Sequence, residues 1–423
     1  METVRLTGMA HGGDAVGHLS DGRAVFVGFA IPGEVVHVEV TTDKPRWARA
    51  RLLEVLEPSA DRVAPPCPYY GTCGGCRLQH IAGQRQAQLV GQVVAEQLQR
   101  LGGVDNPVVA ETVRPADYGY RSRARFAVDR AGRLGFRKAA SHDIVAVERC
   151  LLLDEATQTA REAAGDRWTG ATEVEVRSGV RGAAAIVDVV AKPRGRPALP
   201  PGELAVTRRG GGPPLRGDPV VTESVAGMDF RVSPGSFFQA NRAGAEALVA
   251  LVCRAVAAGD RVLDLYAGVG LFARALAAKG AEVTAVEAGA AAATDARHNL
   301  RDLPPSSTAV GQELSSSAAV GSGPARVVRA PVERYLAEAA ANGTQADVVV
   351  LDPPRRGAGT AVVADLVRVA RGTIVYVACD PAALARDARA LLAAGWRLTE
   401  AVPVDQFAQT AQIEVVATFT PAR

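Results

Sequence analysis

The second half of the chain alternates short apolar runs with helix-like segments, and this alternation limits the fold more than any other feature. The runs begin after about residue 233, and most are continuous rather than interrupted at every second position. Continuous runs are typical of parallel strands that are buried on both faces of a sheet. They are RVLDLYAGVG, AEVTAVEA, ARVVRA, ADVVVLDPP and GTIVYVACDP. We therefore predict a doubly wound α/β domain over residues 233–423.

The preceding residues predict two smaller domains. Residues 1–58 alternate short strand-like runs with glycine and proline turns, which favours a small OB-like β-barrel, and a generic β cap fits the same pattern. Residues 59–232 indicate a mixed α/β domain, with a helix near 80–103 that we expect to pack on the C-terminal domain. Two segments rich in helix and strand breakers predict loops: 191–218, and a surface insertion at 304–324.

Composition excludes several classes of protein. Six cysteines in 423 residues are too few for a disulfide scaffold. The N-terminus has no basic segment followed by an apolar run, and no apolar stretch is long enough to span a bilayer, so we expect a cytoplasmic protein without a membrane partner. The formal net charge of +3 is too small to argue for nucleic-acid binding by itself.

Three of the cysteines, Cys67, Cys73 and Cys76, lie within the stretch CPYYGTCGGC. A reducing compartment does not maintain disulfides, so metal binding or catalysis is the better use for such a group. The spacing fits a zinc site or an iron-sulfur cluster, and either would need a fourth ligand from elsewhere.

A glycine turn follows the first strand of the α/β domain. Gly268, Gly270 and Ala273 match the dinucleotide fingerprint, which keeps a nicotinamide or flavin site open. Asp264 inside the strand favours S-adenosylmethionine instead, because an acid beneath the turn accepts a hydrogen bond from a ligand amine. Glu287, at the end of the next strand, is placed to bind ribose hydroxyls of either cofactor.

The ends of the fourth and fifth strands supply candidate reacting groups. Asp352 and Cys379 should face the same crevice as the glycine turn, since ligands bind outside the carboxyl ends of such strands. A lone cysteine is often only a small buried hydrophobe. A thiolate near a methyl donor nevertheless indicates pyrimidine C5 methylation, because addition of the thiolate to C6 makes C5 nucleophilic. Asp405 and Glu414 are candidate bases for removing the C5 proton.

Five motifs then occur in order: SFFQAN, DLYAGVG, DPPRRG, ACDPAALARD and DQFAQTAQIE. With them, the sequence resembles the RNA (uracil-5-)-methyltransferase family over nearly its whole length. The segment GMAHGGDAVGHLSDGRAVFVGFAIPGEVV resembles the TRAM domain, an OB-like RNA-binding barrel. The resemblance implies a Rossmann-like class I methyltransferase domain preceded by a TRAM barrel and by a mixed α/β domain that holds an iron-sulfur cluster and binds RNA.

The same resemblance implies roles for individual residues. Cys379 would be the nucleophile at uracil C6, Glu414 the proton acceptor at C5, and Arg355 a pocket residue. CPYYGTCGGCRLQH together with VERC resembles the four cysteine ligands of a [4Fe-4S] cluster, which are Cys67, Cys73, Cys76 and Cys150. The residues expected to contact S-adenosylmethionine are Gln239, Tyr266, Glu287 and Asp352.

A basic stretch predicts where RNA is bound. Arg121, Arg123 and Arg125 are spaced by two, so on a strand they share one face at intervals of about 6.6 Å, near the spacing of backbone phosphates. An ordinary charged strand face is the alternative. Next to a TRAM-like barrel we favour RNA, with the target uridine in a loop or flipped out of a helix.

The sequence therefore predicts an enzyme that methylates C5 of a uridine in rRNA or tRNA, without an obligate protein partner. RNA cytosine-C5 methylation uses similar thiolate chemistry and is one alternative. An RNA-binding or RNA-folding module in which methylation is secondary is another.

Overall fold

The computed structural model of the chain describes residues 1–139, 141–168, 170–180, 186–191, 204–209, 213–301, 303 and 325–422. The insertion expected at 304–324 lies outside the described residues. The described part forms a barrel, a central mixed sheet and a C-terminal α/β domain. No helix in these ranges is both long and apolar enough to cross a membrane.

The N-terminal barrel closes five strands in the order β1-β2-β3-β5-β4. Alternating side chains of these strands enter its core, where Val4, Leu6, Val25 and Val36 are almost fully buried. The strands are β1 (Glu2–Met9), β2 (Ala15–His18), β3 (Ala24–Val27), β4 (Val35–Asp43) and β5 (Trp47–Glu57). The predicted OB-like barrel is thus confirmed.

The central region contains a six-stranded sheet in the order β11-β10-β9-β6-β7-β8, covered by helix α2. Asp154 caps α2 by accepting a hydrogen bond from the Thr157 backbone nitrogen at 2.7 Å. The elements are β6 (Arg123–Val128), β7 (Leu134–Arg137), β8 (Ile144–Ala146), α2 (Glu155–Ala164), β9 (Ala171–Arg177), β10 (Ile186–Ala191) and β11 (Ala205–Arg208). The prediction of a loop over 191–218 is wrong at β11. This strand pairs in parallel with β10, although the sequence around it is rich in residues that break strands.

The C-terminal domain has a seven-stranded sheet in the order β16-β15-β14-β17-β18-β20-β19. Strands β14 to β18 pair in parallel, and β20 lies antiparallel between β18 and β19. Its strands are β14 (Arg261–Leu265), β15 (Glu282–Glu287), β16 (Ala325–Arg329), β17 (Ala346–Leu351), β18 (Ala370–Ala378), β19 (Trp396–Val404) and β20 (Glu414–Pro421), preceded by a hairpin of β12 (Val221–Val225) and β13 (Met228–Val232). The predicted doubly wound α/β fold is confirmed.

Helices cover both faces of this sheet. They are α3 (Arg242–Arg254), α4 (Leu271–Ala278), α5 (Ala290–Asn299), α6 (Val332–Ala341), α7 (Thr360–Val369) and α8 (Pro381–Ala393). Helix α1 (Gly83–Arg100) also packs here, because Leu89, Val93 and Leu98 join the core that contains Leu391 of α8. The chain segment that follows the barrel is thereby attached to the C-terminal domain.

Candidate active site

Cys379 and Glu414 are brought together by strand register. Cys379 directly follows β18, and Glu414 is the first residue of β20. Ala378 is paired with Val415 in this antiparallel ladder, so the next two positions, Cys379 and Glu414, face each other across it. Glu414 is almost fully buried and Cys379 is half-buried. The carboxyl group and the thiol therefore meet at the carboxyl end of β18.

Burial sets the electrostatics of this pair. It raises the pKa of Cys379 to about 12, and the nearby Glu414 and Asp352 carboxyl groups add to the rise. Burial also raises the pKa of Glu414 well above its usual range, with a further contribution from Asp352. Arg355 acts in the opposite direction and lowers both pKa values. Arg355 is thus the cation that favours the thiolate and the carboxylate here.

We expect Cys379 to react as a thiol of high pKa. The rate of its alkylation by iodoacetamide should rise about tenfold per pH unit from about pH 7 to pH 10, whereas the rate for a free cysteine levels off at about pH 8.5. Arg355→Ala should lower the rate further, and Arg356→Ala, which removes the neighbouring exposed arginine, should not. Peptide-resolved mass spectrometry measures the alkylation rate of Cys379. A plateau of this rate below pH 8 would show that the pKa of the thiol is not raised.

The residues predicted to bind the cofactor line two adjoining depressions, and one of them, Asp352, is close enough to raise the pKa values of Cys379 and Glu414. Gln239, Tyr266 and Asp352 line one cleft together with Phe237 and Gly268. Glu287 lines a larger adjoining groove, which Phe237 and Gly268 also border. The structure thus places the four predicted residues in two connected depressions at the carboxyl ends of β14, β15 and β17.

The turn after β14 is shaped by unusual backbone angles. Gly268 and Gly270 have φ values of 56° and 87°, and even Tyr266 lies in the left-handed region at 61°. Glu287 holds the turn by accepting hydrogen bonds from the backbone nitrogens of Gly268 at 2.9 Å and Gly289 at 2.5 Å. The Glu287 side chain therefore ties this turn to the end of β15.

Asp264 lies beneath this turn and is fully buried. Its Oδ2 accepts a hydrogen bond from the Ala273 backbone nitrogen at 2.9 Å, whereas Oδ1 has no partner among the described residues. Burial raises the pKa of Asp264 to about 8. A buried acceptor without a donor is a position where a ligand amine or a water would be stabilised.

The four cysteines of the predicted cluster line one pocket. Cys67, Cys73, Cys76 and Cys150 surround it together with Tyr70. Burial raises the pKa of Cys76 to about 12, and the other three thiols contribute to the rise, as expected for sulfur atoms in one site. In the described ranges no group of three or more His, Cys, Asp or Glu side chains has the arrangement that would hold a metal ion. The [4Fe-4S] cluster is thus a prediction that the geometry does not establish.

The predicted RNA-binding arginines share one side of β6 and the residues before it, and the intervening Ser122, Ala124 and Phe126 are buried. Their guanidinium groups differ in environment. The Arg121 guanidinium lies 5.7 Å from the Phe407 ring centre, and that of Arg123 lies 5.2 Å from the Phe237 ring centre. Burial lowers the pKa of Arg123 to about 10.

Arg125 is the exposed member of this group, and it pairs with Glu175 at 3.3 Å. Its RNA role and those of Arg121 and Arg123 stay predictions. Two of the three arginines lie against aromatic rings of the DQFAQT and SFFQAN motifs rather than in open solvent.

Comparison with known proteins identifies the family. The tRNA (Uracil-5-)-methyltransferase family matches residues 221–420, and the TRAM domain matches residues 2–53. An uncharacterized RNA methyltransferase of Streptomyces coelicolor is 35% identical over 99% of this chain and 92% of its own length. The 23S rRNA (uracil(1939)-C(5))-methyltransferase of Pseudomonas putida is 35% identical over 94% of this chain and 89% of its own length. The chain belongs to the tRNA (uracil-5-)-methyltransferase family.

The fold also matches that of a solved structure. The tRNA (uracil-54, C5)-methyltransferase of Pyrococcus abyssi, determined with S-adenosyl-L-homocysteine, has a TM-score of 0.75 and 24% identity, and the match covers 99% of this chain and 100% of that chain. It has the same overall fold. The predicted membership in the uracil-5-methyltransferase family and the predicted TRAM domain are confirmed. The membership supports S-adenosylmethionine as the methyl donor and RNA as the substrate.

Sequence reasoning missed a residue that orients one of the predicted cofactor ligands. Gln406 is fully buried, and its Nε2 donates to Gln239 Oε1 at 2.9 Å. The Gln406 backbone oxygen accepts from Asn241 Nδ2 at 2.9 Å. Space for Gln406 exists because residue 244 is glycine, since a Cβ atom there would lie 1.5 Å from Gln406 Oε1. No local sequence pattern indicates this contact, because its partners are 167 residues apart.

A second missed residue, Asp387 of α8, holds the turn that follows Asp352. Its Oδ2 accepts from the Tyr376 hydroxyl at 2.6 Å and from the Ala358 backbone nitrogen at 2.7 Å. Its Oδ1 accepts from the Gly359 nitrogen at 3.2 Å. The turn that contains Arg355 is therefore attached to α8, the helix that begins directly after Cys379 and its capping residue.

Gly244→Ala should weaken cofactor binding even though alanine favours a helix. The added methyl group displaces Gln406, and Gln239 then loses the bond that orients its amide. Loss of one such bond, of about 1 kcal/mol, should raise the Kd for S-adenosylhomocysteine by roughly 5- to 10-fold in calorimetry. The matched control is Gly91→Ala in α1, where the new methyl group meets only an ordinary contact at 3.4 Å. Unchanged affinity in Gly244→Ala would contradict this assignment.

Proposed function

We propose that this enzyme transfers the methyl group of S-adenosylmethionine to C5 of a uridine in RNA through a covalent adduct with Cys379. The observation that supports it most is the pairing of Cys379 with Glu414 across the ladder of β18 and β20. Asp352, which lines the cleft for the methyl donor, is close enough to raise the pKa of both. A nucleophile, a base and a donor site thus adjoin one another.

The chemistry follows from these groups. The Cys379 thiolate adds to C6, and the electron pair of the C5–C6 double bond moves to form an enolate. C5 then attacks the methyl group, and S-adenosylhomocysteine leaves. Glu414 takes the C5 proton, the C5–C6 double bond re-forms, and the thiolate departs. The raised pKa of Glu414 makes its carboxylate a stronger proton acceptor than an exposed glutamate.

Gln239, Tyr266, Glu287 and Asp352 would hold the methyl donor. Their position supports this role, since they border connected depressions, and Asp352, which lines one of them, is near Cys379. Glu287 already bonds two backbone nitrogens through its carboxylate, and its remaining lone pairs are suited to ribose hydroxyls. The unpartnered Oδ1 of Asp264 would accept, directly or through water, from the donor's amine.

Cys67, Cys73, Cys76 and Cys150 would hold a [4Fe-4S] cluster. Four thiols around one largely apolar pocket fit thiolate ligation of such a cluster. When bound, the cluster would tie the loop at 67–76 to residue 150 and so order the segment between them.

Anaerobically purified protein should therefore contain about four irons per chain and absorb broadly in the visible range. Cys150→Ser should lose the iron, and Cys253→Ser, at a cysteine in α3 outside the pocket, should retain it. A colourless protein with one zinc per chain would show that the four cysteines bind zinc instead of an iron-sulfur cluster.

The proposed substrate is a uridine in structured RNA. The relatives with assigned substrates act on uracil 1939 of 23S rRNA and on uracil 54 of tRNA, so both RNA classes are candidates. Arg121, Arg123 and Arg125 would contact the RNA near the entrance to the site, next to Phe237 and Phe407. This substrate class agrees with the cytoplasmic location predicted from the sequence.

A fluorinated substrate tests the mechanism. RNA transcribed with 5-fluorouridine should form a stable complex with the enzyme on a denaturing gel, because fluorine at C5 blocks the final elimination. Cys379→Ser should abolish the complex, whereas the matched change Cys253→Ser should leave it intact. No complex with the wild-type enzyme, or an undiminished one with Cys379→Ser, would contradict the mechanism.

A further inference from the structure

The loop before Glu414, residues 405–413, is joined to the cysteine loop, residues 67–81, through one buried residue, Gln409. Its φ of 68° lies in the left-handed region, which a residue other than glycine adopts only when its surroundings hold it there. The Gln409 backbone oxygen accepts from the backbone nitrogens of Arg77 at 2.9 Å and Leu78 at 3.1 Å. Arg77 directly follows Cys76, so these bonds fix the end of the cysteine loop against the catalytic domain.

Gln86 of α1 completes the junction. Its Nε2 donates to Gln409 Oε1 at 2.9 Å, and its Oε1 accepts from the Gln409 backbone nitrogen at 3.3 Å. The same Nε2 also lies within hydrogen-bond distance of the backbone oxygens of Leu78 at 3.0 Å and Ile81 at 2.7 Å, so its two N–H groups are shared among three acceptors. Gln86 is fully buried, and so it bonds both the cysteine loop and the loop before Glu414 in a site without competing water.

Other contacts hold the remainder of the same loop. Arg114 pairs with Asp405 at its beginning and also donates to Gln86 Oε1 at 3.3 Å. The Tyr120 hydroxyl donates to the Ala408 backbone oxygen at 2.8 Å. Residues 405–413 connect β19 to β20, and Glu414 opens β20. The loop that leads into Glu414 is therefore held by the cysteine loop, by α1 and by the side chains of Arg114 and Tyr120.

We infer that Gln409 is a positioning residue through which the cysteine loop holds Glu414 at the C5 proton. This inference rests on the proposed function, because it assigns Glu414 the final step. A displaced Glu414 would slow proton removal while leaving thiolate addition and methyl transfer intact. The methylated adduct would then persist, since the Cys379–C6 bond breaks only when the C5 proton leaves.

Gln409→Leu and Gln86→Leu test the inference, with Gln84→Leu at an exposed position of the same helix as the matched control. The substrate is the 23S rRNA or tRNA transcript that the wild-type enzyme methylates best with tritiated S-adenosylmethionine. Turnover in the two buried variants should fall on the order of 10- to 100-fold. The fraction of enzyme bound covalently to ordinary uridine RNA at steady state should rise several-fold, and Gln84→Leu should match the wild type.

The fluorinated transcript separates the possible failures. Both buried variants should form the adduct with 5-fluorouridine RNA to the wild-type extent, since that adduct does not require Glu414. Parallel loss of turnover and of this adduct, or wild-type turnover, would overturn the inference. Absence of the adduct in the wild-type enzyme would instead overturn the proposed function. Thermal melting checks folding, and Gln86→Leu provides the same test if Gln409→Leu does not fold.

Discussion

The antiparallel pairing of β20 with β18 is the interaction on which the site depends. The strand pairs from β14 to β18 are all parallel, so each of these strands brings only its carboxyl end to the cleft. Reversal at β20 brings the beginning of a strand to the same edge, and with it Glu414 beside Cys379. A slip of one residue in this ladder would turn Glu414 to the opposite face. The contacts that fix the register of β20 therefore also fix the position of Glu414 relative to Cys379.

Burial then determines how the site reacts. Burial raises the pKa values of Cys379, Glu414 and Asp352, and the two acids raise the thiol pKa further. Arg355 is the group that opposes this effect, and Asp387 anchors its turn to α8. Ionisation of Cys379 is therefore costly in the free enzyme. In the proposed reaction the same burial would strengthen the charge interactions around a bound pyrimidine.

Much of the fold and part of the site could be predicted from local pattern. Continuous apolar runs and glycine turns predicted the parallel sheet, and the rule for ligands at strand ends predicted that Asp352 and Cys379 share a crevice. Patterns of this kind do not report long-range pairing, and so they missed Gln406 on Gln239 and Gln86 on Gln409. They also missed β11, whose strand is stabilised by pairing with β10 and not by its own composition. The arginine spacing predicted a shared face, but not the rings of Phe237 and Phe407 against it.

Release of the C5 hydrogen tests the central claim most directly. RNA transcribed with [5-³H]uridine, incubated with the enzyme and S-adenosylmethionine, should release one tritium into water for each methyl group transferred. Glu414→Gln should transfer a methyl group and retain the tritium in a covalent complex. Methyl transfer by the wild-type enzyme without tritium release would contradict methylation at C5 of uridine and the roles assigned to Cys379 and Glu414.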